Sequence, residues 1–161
     1  EFDKNGYLVV EGVLPEDLRR EILATARPMI DVEPEVGRRV WHERALFRRP
    51  AFRKVLDLPR LIGGAEALIG EDVQLLAMDL LFVRAGHGNV GWHRDIGFVC
   101  NKTLSINTGI YLQDLTEESG PLRVVPGTHR VEEHPPQCDE LPGMVKVVAP
   151  AGAAVFFDAG L

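Results

Sequence analysis

Ser119-Gly120-Pro121-Leu122-Arg123-Val124-Val125-Pro126-Gly127-Thr128-His129-Arg130 reads as a turn, a short strand and a second turn. Gly120-Pro121 and Pro126-Gly127 punctuate the chain, and the β-formers of Leu122 to Val125 lie between them. The same pattern recurs downstream. Met144 to Val148 and Ala153 to Phe157 are further short apolar runs, set off by Pro135-Pro136, Pro142-Gly143 and Ala151-Gly152. Upstream, Leu104 to Leu112 alternates at period two, with Leu104, Ile106, Ile110 and Leu112 on one face. Val73 to Arg84 is a longer apolar run predicted as a strand, with Gly86 and Gly88 as its turn.

The first part of the chain has a different rhythm. Phe2 to Val13 is predicted as a short strand centred on Tyr7-Leu8-Val9-Val10, with Asn5-Gly6 as the turn before it. Pro15, Glu16 and Asp17 open a helix in which Leu18, Ile22, Leu23 and Ala26 recur at helical spacing, and Pro28 is expected to stop it. Asp31 to Arg44 loses periodicity and reads as loop. Pro50 to Leu58 and Arg60 to Ile69 read as two more helices, the second ended by Gly70. The chain is therefore expected to be one domain over residues 1–161. A helical part covers about 1–70 and a β core about 71–161, giving a mainly β fold, a jelly-roll sandwich with helices packed on one sheet.

With 161 residues and 45% hydrophobic side chains, the chain can bury a core. A formal charge of −6 argues against nucleic acid as a partner, because phosphate contacts need clustered cations. The arginines between Arg38 and Arg60 are read as a solvated face rather than an anion site. Cys100 and Cys138 lack zinc or redox spacing, which predicts no disulfide framework and a reducing, cytoplasmic compartment. No run is long enough to span a membrane, so no membrane partner is expected. Nothing in the sequence sets the oligomeric state.

Gly91-Trp92-His93-Arg94-Asp95-Ile96-Gly97 holds the chemistry. If the segment is extended, His93 and Asp95 project from one face and Arg94 from the other. An imidazole nitrogen and a carboxylate oxygen are half of a metal site. One more His would complete the 2-His-1-carboxylate triad of non-haem Fe(II) oxygenases. Trp92 and Phe98 flank the pair; each reads as a pocket wall or as plain core.

Four separated pieces together resemble one family: Phe2-x-x-x-Gly6-Tyr7-Leu8-Val9-Val10 with Leu14-Pro15, then Trp92-His93-Arg94-Asp95, then Ser119 to Arg130, and last Ala151-Gly152-Ala153-Ala154-Val155-Phe156-Phe157-Asp158. The chain resembles the phytanoyl-CoA dioxygenase family of Fe(II)- and 2-oxoglutarate-dependent oxygenases across nearly its whole length. The resemblance implies a cupin-like double-stranded β-helix with Fe(II) at its mouth, His93 and Asp95 as the first two ligands, and 2-oxoglutarate and O₂ as co-substrates. It implies hydroxylation of an aliphatic C–H of a small molecule, since halogenating relatives replace the carboxylate that Asp95 supplies.

The third His and the Arg that grips 2-oxoglutarate are expected beyond Leu161, so the C-terminal part of the fold is expected to be missing. Within the chain, His129 and His134 are the candidate substitutes. His129 is also read as a position beside the metal site or facing substrate, with a turn residue bonding its own loop as the equal alternative. His42 and His87 read as surface residues. Phe98 is assigned to the substrate side, and Arg84 and Thr108 to the co-substrate. The alternative reading is a non-catalytic or degenerate jelly roll that binds a metal or ligand without turnover, and a third is a purely structural interaction domain. Loops such as 31–44 and 131–141 carry no readable substrate code.

Overall fold

The computed structural model describes residues 1–31, 37–87, 90–97, 99 and 102–161. Phe98, Cys100 and Gly88, singled out above, lie outside the described residues.

The predicted opening strand is divided in two. Phe2–Asn5 is a single helical turn, α1, and Tyr7–Val10 is the strand β1. Gly6 joins them at φ 81°, closing the turn with its N–H on the Phe2 carbonyl at 2.7 Å. A side chain there would meet the His129 ring, its Cβ falling 2.5 Å from Nδ1. Both facts require glycine.

Helix α2 spans Glu16–Asp31 and runs through Pro28 instead of stopping at it. An interior proline costs about 3 kcal/mol through its missing N–H and its ring. Here Met29 and Ile30, beyond the proline, pack against the buried cluster of Leu14, Leu18, Ile22, Ala26, Leu46 and Phe52. Burying such side chains contributes roughly 1.5–3 kcal/mol each at full burial, enough to offset the break.

The region predicted as loop, 31–44, contains strand β2, Arg38–Trp41, and the start of the short helix α3, Glu43–Leu46, while the helix predicted from Pro50 to Leu58 begins as α4, Pro50–Arg53. A 3₁₀ turn over Lys54–Asp57 leads into α5, Pro59–Ile69. Four residues, two arginines followed by Val40 and Trp41, are too short and lack the alternation that would mark a strand. Pairing makes it one: β2 runs antiparallel to β3, Leu80–Val83, with Trp41 opposite Leu80 and Arg38 opposite Val83.

Only these last residues of the long predicted strand at 73–84 form a ladder. Residues 73–79 have no ladder partner among the described residues, and Leu75, Leu76, Leu81 and Val83 are exposed. Four further strands follow: β4, Ile106–Ile110; β5, Leu122–Val124; β6, Val145–Val147; and β7, Ala154–Asp158.

The described strands make three small antiparallel sheets, ordered β1-β7-β4, β2-β3 and β5-β6. The expected mainly β composition is thus corrected to a mixed α/β one, because α2 and α5 are long while the ladders are short. The layering is nonetheless that of a sandwich with helices on one side. On one face of the central sheet, Leu8, Val10, Ala154, Phe156, Ile106 and Ile110 pack under Leu61 and Leu68 of α5. Gly64 lets α5 approach this closely, since a Cβ there would lie 2.6 Å from the Phe156 ring. On the other face, Tyr7, Val9, Val155, Phe157 and Tyr111 pack against Leu122 and Val124 of β5 and Val147 of β6. Registers of Tyr7 and Asn107 opposite Phe157 set which residues share that inner face.

Candidate metal centre

His93 and Asp95 lie on an irregular segment, not on a strand. The segment is docked onto the end of the central strand. The N–H groups of Asp95 and Ile96 both donate to the Ala159 carbonyl, at 2.9 and 3.0 Å. Arg94 is engaged elsewhere, donating from Nε to the Gly160 carbonyl at 2.7 Å and from Nη1 to that of Val131 at 2.5 Å. On the other side, Gln137 donates to the Trp92 carbonyl at 2.9 Å, and the Arg123 guanidinium lies 4.9 Å from the centre of the Trp92 ring.

The turn that receives the segment is itself fixed. Asp158, buried at the end of β7, accepts from the Gly160 N–H at 2.8 Å and from the Thr103 hydroxyl at 2.6 Å. Its own N–H donates to the Gly6 carbonyl at 2.8 Å.

The two side chains approach each other although the segment is not the extended strand that the spacing assumed, with His93 Nε2 3.5 Å from Asp95 Oδ1. The two side chains are 58% and 43% exposed, so solvent and solutes reach them. His93 Nδ1 lies 2.8 Å from the Gly91 carbonyl, which can only accept; Nδ1 therefore carries the proton. In the neutral ring that leaves an Nε2 lone pair facing a carboxylate oxygen. A proton on Nε2 or a metal ion shared by the two groups would each make the approach favourable. For octahedral bonds of roughly 2.1 Å, neighbouring donors lie about 3 Å apart, so the spacing suits two adjacent positions on one cation.

Asp95 Oδ2 accepts a hydrogen bond of 2.5 Å from the Asn107 side-chain amide on β4. Asn107 was not singled out in the sequence. The signal was there, because period two in Leu104 to Leu112 sets Asn107 opposite the apolar face. Gln137 had no comparable signal, since it acts through a contact 45 positions away in sequence.

The other expected site residues fall elsewhere. Thr108 shares its face with Phe156, on the helix-covered side, because alternation turns it away from Asn107. Arg84 follows β3, its N–H on the Gly37 carbonyl at 2.8 Å and its guanidinium 5.2 Å from the centre of the Phe82 ring. His129 is only 8% exposed, packed against Gly6, with Arg130 Nε donating to its Nε2 at 3.3 Å. His134 is exposed in its loop, and His42 is an exposed partner of Asp79 at 2.8 Å. Among the described residues no three His, Cys, Asp or Glu side chains converge as a metal site, so neither His129 nor His134 joins the pair.

A family model described as phytanoyl-CoA dioxygenase (PhyH) matches residues 2–161. The chain belongs to the PhyH family. These are Fe(II)- and 2-oxoglutarate-dependent oxygenases. The PhyH fold extends over the chain in comparisons with solved structures. The epimerase SnoN, in complex with Fe3+, alpha-ketoglutarate and nogalamycin RO, is 25% identical with a TM-score of 0.75, covering 99% of this chain and 72% of that one. HygX from Streptomyces hygroscopicus, with nickel, 2-oxoglutarate and hygromycin B bound, is 18% identical with a TM-score of 0.77, covering 99% and 76%. L-proline trans-4-hydroxylase of Streptomyces griseoviridis is 33% identical over 81 residues, 47% of this PhyH chain and 30% of the relative's length. No helix of the described residues is long and apolar enough to cross a membrane.

Proposed function

We propose that the protein is a hydroxylase that uses Fe(II), 2-oxoglutarate and O₂ to oxidise an aliphatic C–H of a small molecule. The observation that supports this most is the His93 Nε2 and Asp95 Oδ1 pair at 3.5 Å, with the imidazole tautomer fixed by the Gly91 carbonyl. Membership of the PhyH family and likeness to enzymes described with iron or nickel and 2-oxoglutarate bound support it further.

In this reading His93 and Asp95 hold the metal, and the metal with its co-substrate supplies the oxidising chemistry. His93 would contribute Nε2, since Nδ1 donates to the Gly91 carbonyl and that bond orients the ring. Asp95 contributes charge, and keeping a carboxylate at this position favours hydroxylation over halogenation. Arg94, Gln137 and Arg123 do not touch the reacting groups; they hold the segment from behind and from the side. Phe98, His129, Arg84 and Thr108 remain proposals for contacts to substrate and co-substrate, with His129 and Thr108 the weaker for their orientation.

Anaerobic Fe(II) titration with 2-oxoglutarate tests the reading. A weak visible charge-transfer band should appear with both present and be lost in His93→Ala and Asp95→Ala. A protein that binds Fe(II) and 2-oxoglutarate without ever consuming the latter would be the non-catalytic jelly roll instead.

A further inference from the structure

We infer that Asn107 is a positioning residue that limits Asp95 to one coordinating oxygen. The inference rests on the metal-binding reading given above and goes further into the same site.

A carboxylate has two oxygens and can offer a cation one or both of them. In this chain the two are not equivalent. Oδ1 faces His93 Nε2 at 3.5 Å, and Oδ2 is taken by the Asn107 amide N–H at 2.5 Å. The amide must present its nitrogen, since a carboxylate can only accept. A hydrogen bond to an ionised acceptor is of the stronger kind, so the cap is not displaced without cost.

Asn107 is also well placed to hold still. It lies inside β4, whose register with β7 sets Asn107 against Phe157, while Asp95 is tied through its own N–H to Ala159 just beyond β7. Donor and acceptor are thus referenced to the same central strand. The consequence is a count of positions. A one-oxygen carboxylate uses one place on a six-coordinate ion and a two-oxygen carboxylate uses two. The second place is one that a chelating co-substrate or O₂ needs.

The test is infrared difference spectroscopy of the whole protein, ¹³C-labelled at aspartate carboxylates, with Mn(II) as the probe. One-oxygen ligation gives a wide separation between the antisymmetric and symmetric carboxylate stretches, and two-oxygen ligation a narrow one. The parent protein should show a Mn(II)-dependent wide pair that is absent from Asp95→Ala. Asn107→Leu, close in shape but with no donor, should lose the wide pair and show the narrow one. Should that variant fail to fold, Asn107→Ala carries the same measurement. A wide pair unchanged in the Asn107 variants would overturn the assignment while leaving the metal reading intact. No Mn(II)-dependent carboxylate signal in the parent would overturn both.

Discussion

Two stretches of this chain look alike on paper and end differently in space. Ala153 to Asp158 and Val73 to Arg84 are both apolar runs with β-forming residues. The first becomes β7, paired on both sides, with Phe156 and Val155 0% exposed between α5 and the β5–β6 pair. The second forms a ladder only at Leu80–Val83, against β2 alone, and Leu81 stays 54% exposed. Apolar content marks what can be buried. Partners on both edges and both faces decide what is buried.

The sharpest way to break that contrast is at Phe156. Phe156→Ala should cost about 3–5 kcal/mol, because a filled site between sheet and helix is emptied. Leu81→Ala should cost under roughly 1 kcal/mol, since little apolar area is lost to begin with. Urea unfolding of both variants measures the difference, and similar values would mean that β3 is covered in solution.

Gly64→Ala sharpens the comparison from the helix side. A new Cβ 2.6 Å from the Phe156 ring should destabilise by about 1–3 kcal/mol through overpacking, partly offset by the roughly 1 kcal/mol of helix propensity gained over glycine. A net rise in thermal midpoint would show that α5 does not sit this close.

At the metal pair the expected effect on stability is smaller still. His93→Ala should shift the unfolding free energy of metal-free protein by no more than about 0.5 kcal/mol, as an exposed side chain does, while metal binding is lost. A large loss of stability without metal would assign His93 a structural role.

The smallest effect is a titration. Burial on the inner face pushes the Tyr111 hydroxyl up to about 12 from the ordinary tyrosine value near 10. The folded state therefore keeps a proton that the unfolded chain releases first. Stability from this group is complete below the unfolded value and is lost as pH rises through the folded one. Ultraviolet titration of tyrosinate should show a component with a midpoint of about 12 that Tyr111→Phe removes.

Much of this was legible in the sequence for local reasons. Period two in Ile106–Ile110 and the Gly/Pro turns around Leu122–Val124 are written in adjacent residues, as is the His93-x-Asp95 spacing. What was not legible depended on distant partners. Arg38–Trp41 needed Leu80–Val83 before it was a strand, and the Pro28 break needed the core beneath Met29 and Ile30 before it could be overridden. Asn107 is intermediate: its face could be read, but not that Asp95 waited there.

The docking of the His93–Asp95 segment onto the turn after β7 also has a bearing on the order of assembly. Arg94 and the Gly160 carbonyl that holds it are 66 positions apart, and the Ala159 carbonyl that receives Asp95 is nearly as remote. During synthesis, which proceeds from the N-terminus, His93 and Asp95 leave the ribosome well before the turn that orients them. Until β7 enters between β1 and β4, the pair lacks the Ala159 and Gly160 carbonyls that hold its segment. On the proposed function, loading with a metal ion would then be a late event that follows closure of the sheet.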